Sequence, residues 1–543
     1  MTETRTATLP ATGTFATPAA GINSYDEVPY DSHPFAQSHP DRLATVAKLF
    51  GLRTPPLESA RVLELGCAAG GNILPFALDN PNSKVIGIDL AARQINDGQK
   101  LINALGVKNI ELKHASILDV DASYGEFDYI ICHGVYSWVP SAVQEKIMRI
   151  AQEQLAQNGV LYISYNTYPG WHMRGMIRDM MRYHVQRFLG PTVRVRQARS
   201  LLDFLQQSVK QESSAYGVLL KQEVETIRKQ ADHYLYHEHL EEVNEPLYFH
   251  QFMDRANNHD LQYLGEARVG VMVTSNFGPE VEKTLKMLAN DLVQMEQYMD
   301  FLRNRMFRET LLCRKRVPLE RTLTPEVVKG LNISSSARPT NPTIDLQGAT
   351  SESFQSPSGM NMSTTLPLLK ATMLSLQEMW PSSVPFEQLR LRAYEKLGKP
   401  APLDPQQTAQ DLHLIGMGLL NCYLGSDLVE FRTAAPQFVT KPGDKPTVSQ
   451  LNREQLKISR MITNRRHEVV NLNDFEYHLV SRLDGNHDRA ALANAMTELA
   501  NKNVITIQEK GEVIKDANRL REASGILVEH SLANLARQAL LLA

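Results

Sequence analysis

Along the first third of the chain, short apolar runs alternate with amphipathic stretches, so a period of two gives way repeatedly to a period of three to four. Val62 to Leu65, KVIGIDL ending at Asp89 and Leu90, NIELKHASI (109–117), FDYIICHGV (127–135) and GVLYISYN (159–166) read as five buried strands. Between them, Ile73 to Leu78, Gln94 to Leu105 and Ala142 to Gln157 carry the spacing of helices that bury one face. Such an alternation predicts an α/β fold with a doubly wound, Rossmann-like parallel sheet whose ligand loops sit at the carboxyl ends of the strands.

The pattern then changes. From Arg174 to about Lys229 it is helical, with Phe204, Leu205, Val218 and Leu219 at helical spacing. Leu285, Leu288, Leu292, Met295, Met299, Leu302 and Met306 alternate steps of three and four, a seam of about three heptads that predicts a helix buried in its own domain or against a second subunit. Gly330 to Ser363, rich in Ser, Thr, Pro and Asn, reads as a linker or irregular hairpin. LPLLKATMLSLQEMW, VPFEQLRLRAYEKL and TAQDLHLIGMGLLNCYL, followed by LVEFRT, predict a winged-helix-like module, and a second helical unit runs from about Asn473 to the end. The expected division is a disordered tail (1–23), a ligand-binding domain (24–190), a helical middle domain (191–330), a linker (331–365), a winged-helix-like module (366–450) and a C-terminal helical module (451–543).

Bulk properties narrow the classes. A chain of 543 residues is too long for one core, and 43% hydrophobic with 22% charged residues is an ordinary globular composition. A net charge of −3 gives no global attraction to nucleic acid, so none is expected as partner. The four cysteines form no CxxC pair, which argues against a disulfide framework or zinc site and for a reducing compartment. The opening MTETRTATLPATGTFATPAAG lacks the basic and apolar regions of a signal peptide, and no run approaches bilayer length. A cytoplasmic protein without a membrane partner is the expectation.

The chemistry concentrates in RVLELGCAAGGN (61–72). A glycine turn after a strand suits two ligands, dinucleotides and S-adenosylmethionine. In the dinucleotide fingerprint the second glycine lets the backbone approach a pyrophosphate; here that position is Ala68. The spacing Glu64-x-Gly66-x-Ala68-x-Gly70 resembles motif I of class I S-adenosylmethionine-dependent methyltransferases, with Ala68 as its departure. Asp89, ending the second strand about twenty residues on, is placed to accept ribose hydroxyls. The resemblance implies a cofactor set of Glu64, Gly66, Cys67, Ala68, Gly70, Asn72, Asp89, Leu90, Ser116, Ile117 and His133, with Tyr25 and Tyr30 from a leading segment folded over the ligand.

Several further stretches carry a narrower resemblance: SYDEVPYDSHPF (24–35), SHPDRLATVAKLFG (38–51), CHGVYSWVP (132–140), SYNTYPGWHMRG (164–175) and NEPLYFHQFMDRANNHDLQYLGEA (244–267). Together they resemble bacterial methyltransferases with a methyltransferase regulatory domain, a family that includes rickettsial protein-lysine methyltransferases. The resemblance implies a protein-lysine acceptor and a homodimer as one use of the heptad seam. A small-metabolite or natural-product methyltransferase, and a non-catalytic S-adenosylmethionine sensor, remain the alternatives. The loops after strands four and five predict Tyr136, Trp138, Asn166, Tyr168 and Trp171 at one rim, where ring faces suit an approaching cation. The D/N-P-P-Y motif of many DNA-base and glutamine methyltransferases is absent. HYLYHEHL offers His233 and His237 four apart but not the HExxH order, and reads as packing, so no metal is expected.

Overall fold

The computed structural model describes residues 32–209, 214–509 and 511–543. They divide into two units, Gly170–Glu242 and a larger one formed by Ser32–Pro169 with Val243–Ala543.

The larger unit is built on a seven-stranded sheet: β1 (Arg61–Leu65), β2 (Lys84–Asp89), β3 (Ile110–His114), β4 (Phe127–Cys132), β5 (Leu155–Asn166), β6 (Leu261–Glu266) and β7 (Phe307–Arg314), in the order β3-β2-β1-β4-β5-β7-β6. β1 pairs in parallel with both β2 and β4, placing Val62 beside Val85 on one side and Tyr129 on the other. All six residues of β4 are buried, as a parallel strand covered on both faces requires. The chain winds one way through β2 and β3 and the other through β4 and β5. The crevice above β1 is therefore the topological switch point where such sheets bind ligands.

The expectation of a wholly parallel five-stranded sheet needs correction. β7 runs antiparallel between β5 and β6, with Leu161 opposite Leu312 and Asn166 opposite Phe307. The sequence hides this strand because its second residue is a fully buried arginine. Arg308 donates from Nη1 to Glu266 (2.7 Å), from Nε to Asp300 (2.8 Å) and from Nη2 to Glu296 (3.0 Å). Its guanidinium also stacks 3.7 Å from the centre of the Phe249 ring. Arg305 donates to the other Glu266 oxygen at 2.8 Å. Burial alone would raise the Glu266 carboxyl, but the two guanidinium groups more than offset it and hold it below the usual range.

The heptad seam is not one helix. Pro279–Leu288 and Leu292–Arg303 are separate, and Asp291 caps the second by accepting from the amide of Gln294 at 2.8 Å. Leu285 and Met299 are buried while Leu288, Leu292 and Leu302 are exposed, so the stripe splits between core and surface.

Nor is 331–365 a linker. It contributes strands Asn332–Ser334, Glu352–Gln355 and Asn361–Thr364, and Ile333 and Phe354 are fully buried in the core shared with helix Pro40–Leu49. Its serines serve as internal hydrogen-bonding groups: Ser335 Oγ donates to Leu428 O at 2.5 Å, and Ser353 and Ser363 hydroxyls meet at 2.7 Å. Strands Val384–Pro385, Asn332–Ser334 and Glu430–Arg432 form a small sheet with helices Pro367–Met379, Phe386–Lys396 and Pro405–Gly425 around it. The last segment holds a hairpin, Met461–Thr463 with Val469–Asn471, and helices Asp474–Val480, Arg489–Asn501 and Ala517–Arg537. These modules are tied to the front of the unit. Asp41 Oδ1 accepts from the Thr433 amide (2.8 Å), the Thr433 hydroxyl (2.6 Å) and the Ala434 amide (3.0 Å).

The smaller unit comprises helices Trp171–Val185, Pro191–Ser208, Ala215–Arg228 and Asp232–His239. They enclose Ile177, Met181, Leu202, Leu220, Val224 and Leu235. The expected boundary at 190 thus falls inside a helical unit that starts at Gly170, and the chain returns to the sheet after Val243. Among the described residues no helix is long and apolar enough to cross a membrane.

Removing Arg308 would leave the buried Glu296 without its ion-pair partner and Glu266 and Asp300 with Arg305 alone. Arg308→Ala is expected to destabilise the fold by about 3–5 kcal/mol, read as a lowered urea midpoint; a midpoint close to that of the parent would show that the cluster is not what holds β7.

Candidate functional site

The site forms where β1 ends. Gly66 leaves the strand at φ +80°, and a side chain there would overlap Val135 Cγ2 at 2.4 Å. Ala68, the departure from the glycine pattern, also lies in the left-handed region at φ +48°, a conformation that costs a non-glycine residue about 1–2 kcal/mol. Its amide is held by Asp89: Oδ2 accepts from Ala68 N and Oδ1 from Ala91 N, both at 2.8 Å. The two bonds fix the orientation of the Asp89 carboxylate at the end of β2. Leu90, beside it, is 58% exposed, a large apolar side chain left uncovered at the mouth of the crevice.

Behind the turn, Glu64 is buried, and Oε1 accepts from Asn72 Nδ2 at 2.7 Å while Oε2 has no hydrogen-bond partner among the described residues. Burial raises this carboxyl to about 8, with the Asn72 hydrogen bond opposing and the charge of Asp89 adding to the rise. Asn72, expected to touch cofactor, is saturated within the protein. Its Nδ2 donates to Glu64 and to Ser38 Oγ (3.0 Å), and its Oδ1 accepts from Phe35 N (2.9 Å) and meets His467 Nε2 (3.0 Å). It clamps the site instead of lining it. Cys67 is buried with its thiol raised well above the ordinary value by desolvation, so it packs and does not react.

After β4, the His133 ring lies 3.9 Å from the Phe35 ring, with Nδ1 at 2.9 Å from the Tyr162 hydroxyl. The amide of Gly134 donates to Ser164 Oγ at 2.7 Å, which fixes the backbone at the carboxyl end of β4. Burial lowers the imidazole to about 4, so it is neutral at neutral pH. Ser116 opens a short turn and caps it, its hydroxyl accepting from Leu118 N at 3.2 Å and its amide donating to Asp119 at 3.2 Å; Ile117 follows, half-buried. Ser32, which sequence reasoning passed over, reaches the glycine turn: its Oγ accepts from Gly71 N at 2.8 Å, and its carbonyl lies 2.4 Å from where a Gly71 side chain would begin. Tyr25 and Tyr30 lie outside the described residues.

The expected rim of Tyr136, Trp138, Asn166, Tyr168 and Trp171 comes apart. Tyr136 is wholly buried, edge-on to Phe252 at 5.6 Å and to Tyr165 at 6.3 Å, and its phenol is pushed up to about 12 by desolvation. It is a core residue. Asn166 is also buried, donating to Asn244 Oδ1 at 2.9 Å and bracing Ser137 through its amide (2.9 Å). Trp138 and Tyr168 are half-buried. Tyr168 joins Tyr248 at 5.2 Å, and Tyr248 in turn meets the half-exposed Phe301 at 6.1 Å. Tyr248 stands in the stretch 244–267 that carries the family resemblance, without a role assigned to it there, and Phe301 has no motif to announce it. Trp171 opens the helical unit, where it is buried and the Arg174 guanidinium sits 5.8 Å from its ring. In the same unit His237 lies 3.5 Å from Glu241, and burial lowers His239 to about 3. Among the described residues no group of three or more His, Cys, Asp or Glu is gathered as a metal site would need.

Three families match successive parts of the chain: a methyltransferase domain over 57–239, a predicted methyltransferase regulatory domain over 231–314, and the C-terminal winged helix domain of PKMT over 444–540. The Rickettsia prowazekii protein RP789 is 40% identical over 513 residues, covering 93% of this chain and 91% of that one. The solved structure of PKMT2 from Rickettsia typhi in complex with AdoHcy matches with a TM-score of 0.85 and 35% identity, over 95% of this chain and 100% of that one. The structure of PKMT2 without that ligand matches with a TM-score of 0.84. The chain belongs to the PKMT family of S-adenosylmethionine-dependent methyltransferases. In this PKMT-family enzyme the winged-helix match falls on the segment after 444, which sequence reasoning had taken for a plain helical module. The regulatory match spans β6 and β7, so in structural terms that region completes the catalytic sheet.

Burial keeps His39 near 3 and His133 near 4, below the ordinary 6.5. Between about pH 4 and 6.5 these two imidazoles bind protons in the unfolded chain only, so their contribution to stability, present above pH 6.5, is lost as pH falls toward 4, while the raised carboxyl of Glu64 acts in the opposite direction. Removing one of these imidazoles isolates its share: relative to the parent, His133→Gln is expected to gain thermal stability as pH is lowered from 6.5 to 4, and a difference between the two midpoints that stays constant with pH would place the titration elsewhere.

Proposed function

We propose that this methyltransferase modifies lysine side chains of a protein. The observation that carries the reading is the likeness to PKMT2 along its full length, modules beyond the cofactor domain included. A small acceptor needs a pocket only, whereas this chain devotes more than half its length to structure outside β1–β5.

In this reading Asp89 accepts the ribose hydroxyls, Leu90 and the Ser116–Ile117 turn flank the adenine, and the Gly66–Gly70 backbone curves round the ligand. The unpartnered Oε2 of Glu64 receives the α-ammonium of the methionine moiety, a cation meeting a buried carboxylate with nothing else to bind. The carboxyl end of β4 lies beside the sulfonium. A neutral His133 suits that place, since an imidazolium would repel the cofactor's positive charge.

Methyl transfer is an in-line displacement: the amine nitrogen forms a bond to the methyl carbon as the carbon–sulfur bond breaks and its electron pair returns to sulfur. The protein's part is to align the two and exclude water. The amine must arrive neutral, and the half-buried aromatics Trp138, Tyr168 and Tyr248 supply apolar faces that favour the uncharged nucleophile while its proton leaves to solvent.

Two outcomes test this reading. Asp89→Ala should raise the AdoHcy dissociation constant about tenfold or more, measured by calorimetry; retained affinity would remove the ribose assignment. Incubation with tritiated S-adenosylmethionine and cell lysate should label protein bands at lysine, identified by peptide mass spectrometry. Label confined to small molecules would overturn the acceptor class, and binding without any transfer would favour a sensor. At pH 7, where the raised Glu64 holds its proton in the free enzyme, AdoHcy binding should release about one proton per site, seen as a dependence of the binding heat on buffer. Glu64→Gln should abolish that release.

A further inference from the structure

The first hairpin of the C-terminal winged-helix module reaches the cofactor motif. It pairs Thr463 with Val469, and the tip between them is folded on Asn464, whose Oδ1 accepts from the amides of Arg466 and Glu468 at 2.9 Å each. Three successive residues of that tip are anchored to the rest of the unit. Arg465 pairs with Asp79 at the end of the helix that follows the glycine turn. Arg466 donates to Glu430 at 2.6 Å and to Pro381 O at 3.0 Å, and stacks 4.3 Å from the Trp380 ring. His467, buried, is held at φ +65° with its ring edge-on to His39 at 4.5 Å. A non-glycine residue keeps that backbone only when its surroundings determine it.

What His467 does there follows from hydrogen-bond polarity. The Phe35 amide can only donate, so the Asn72 atom it meets is the carbonyl oxygen, and the Asn72 nitrogen is the one facing Glu64 and Ser38. His467 Nε2, 3.0 Å from that same oxygen, must carry its proton. The chain of contacts runs from this hairpin, through His467 Nε2–H and the Asn72 amide, to Oε1 of Glu64, and leaves Oε2 without a hydrogen-bond partner among the described residues.

We propose that His467 is a positioning residue for the amino-acid end of the cofactor: a residue 395 positions away from Asn72 orients, through that amide, the carboxylate that receives the methionine ammonium. The inference rests on the placement of Glu64 proposed above. It makes the winged-helix module part of the cofactor site, so that any event displacing this hairpin lowers affinity at one end of the ligand and not the other.

The test uses two ligands on the full-length protein. S-adenosylhomocysteine has the amino-acid end; 5′-methylthioadenosine lacks it and reports the nucleoside end and the integrity of the fold. His467→Gly, which relieves the backbone and removes the donor, should weaken S-adenosylhomocysteine about tenfold, the scale of one hydrogen bond to a buried partner, and leave 5′-methylthioadenosine within about twofold by the same scale. His467→Phe, which keeps a ring against His39 without a donor, should behave likewise, and His467→Gln, which restores an N–H, should recover most of the loss. Unchanged affinity for both ligands in the Gly and Phe variants, or equal loss of both, would overturn the proposal. Glu64→Gln separates the two levels. If it loses S-adenosylhomocysteine selectively while the His467 variants do not, only the role of the hairpin fails; if it binds both ligands as the parent does, the Glu64 placement fails and this inference with it.

Discussion

The side chain of Asn72 is the point on which the molecule converges. A primary amide has two hydrogens and two carbonyl lone pairs, and here all four are used within the protein, on Phe35, Ser38, Glu64 and His467. Three segments distant in sequence, the stretch before β1, the glycine motif and the winged-helix hairpin, therefore share one planar group of fixed geometry. Inside a low-dielectric interior each of those bonds is costly to leave unmade, so a shift in any one segment is felt by the others. The buried carboxyl of Glu64 raises the stakes, because its desolvation is offset on one oxygen only until a ligand supplies a cation for the other.

A second constraint lies at the opposite side of the sheet. β7 sits between β5 and β6, and its buried Arg308 collects Glu266 from β6 with Glu296 and Asp300 from the helix Leu292–Arg303. The region matched by the regulatory family thus supplies two of seven strands and the ion cluster that locks them. Asp41 makes a comparable junction with Thr433 and Ala434. Catalytic and accessory parts are interleaved, and a boundary drawn between them in sequence cuts through a common core.

What the sequence disclosed follows the same physics. β1, β4 and β5 were legible because strands covered on both faces are largely apolar, β3 because apolar Ile110 and Leu112 alternate with polar residues, and Glu64, Gly66, Gly70 and Asp89 stood out because a turn at a strand end has few chemical solutions. β7 was hidden since FRETLLCR looks half-solvated unless Glu266, Glu296 and Asp300 are known to surround Arg308. The leucine and methionine stripe overstated continuity: periodicity does not register that one helix stops at Leu288 and that Asp291 caps the next. Composition misled at 331–365, where serines and threonines bond internally around Ile333 and Phe354. Tyr136 illustrates the limit for site residues, for a tyrosine after a strand reads alike whether it faces ligand or Phe252. His467 could not have been found at all, since nothing in NRRHE signals contact with a motif nearly four hundred residues earlier.

The insertion of β7 also sets an order on the birth of the protein. β5 is complete at Asn166, yet the strand that covers its edge begins only at Phe307. At translation rates of roughly 5–20 residues per second, that edge stays open on the ribosome for on the order of ten seconds. During this time five strands with an uncovered hydrogen-bonding edge invite pairing with another nascent chain, while the four helices of Gly170–Glu242 emerge and can fold on local contacts alone. The helical insertion is thus also an interval in synthesis, and the yield of active enzyme in a cell should depend on whatever chaperone shields β5 until its partner arrives.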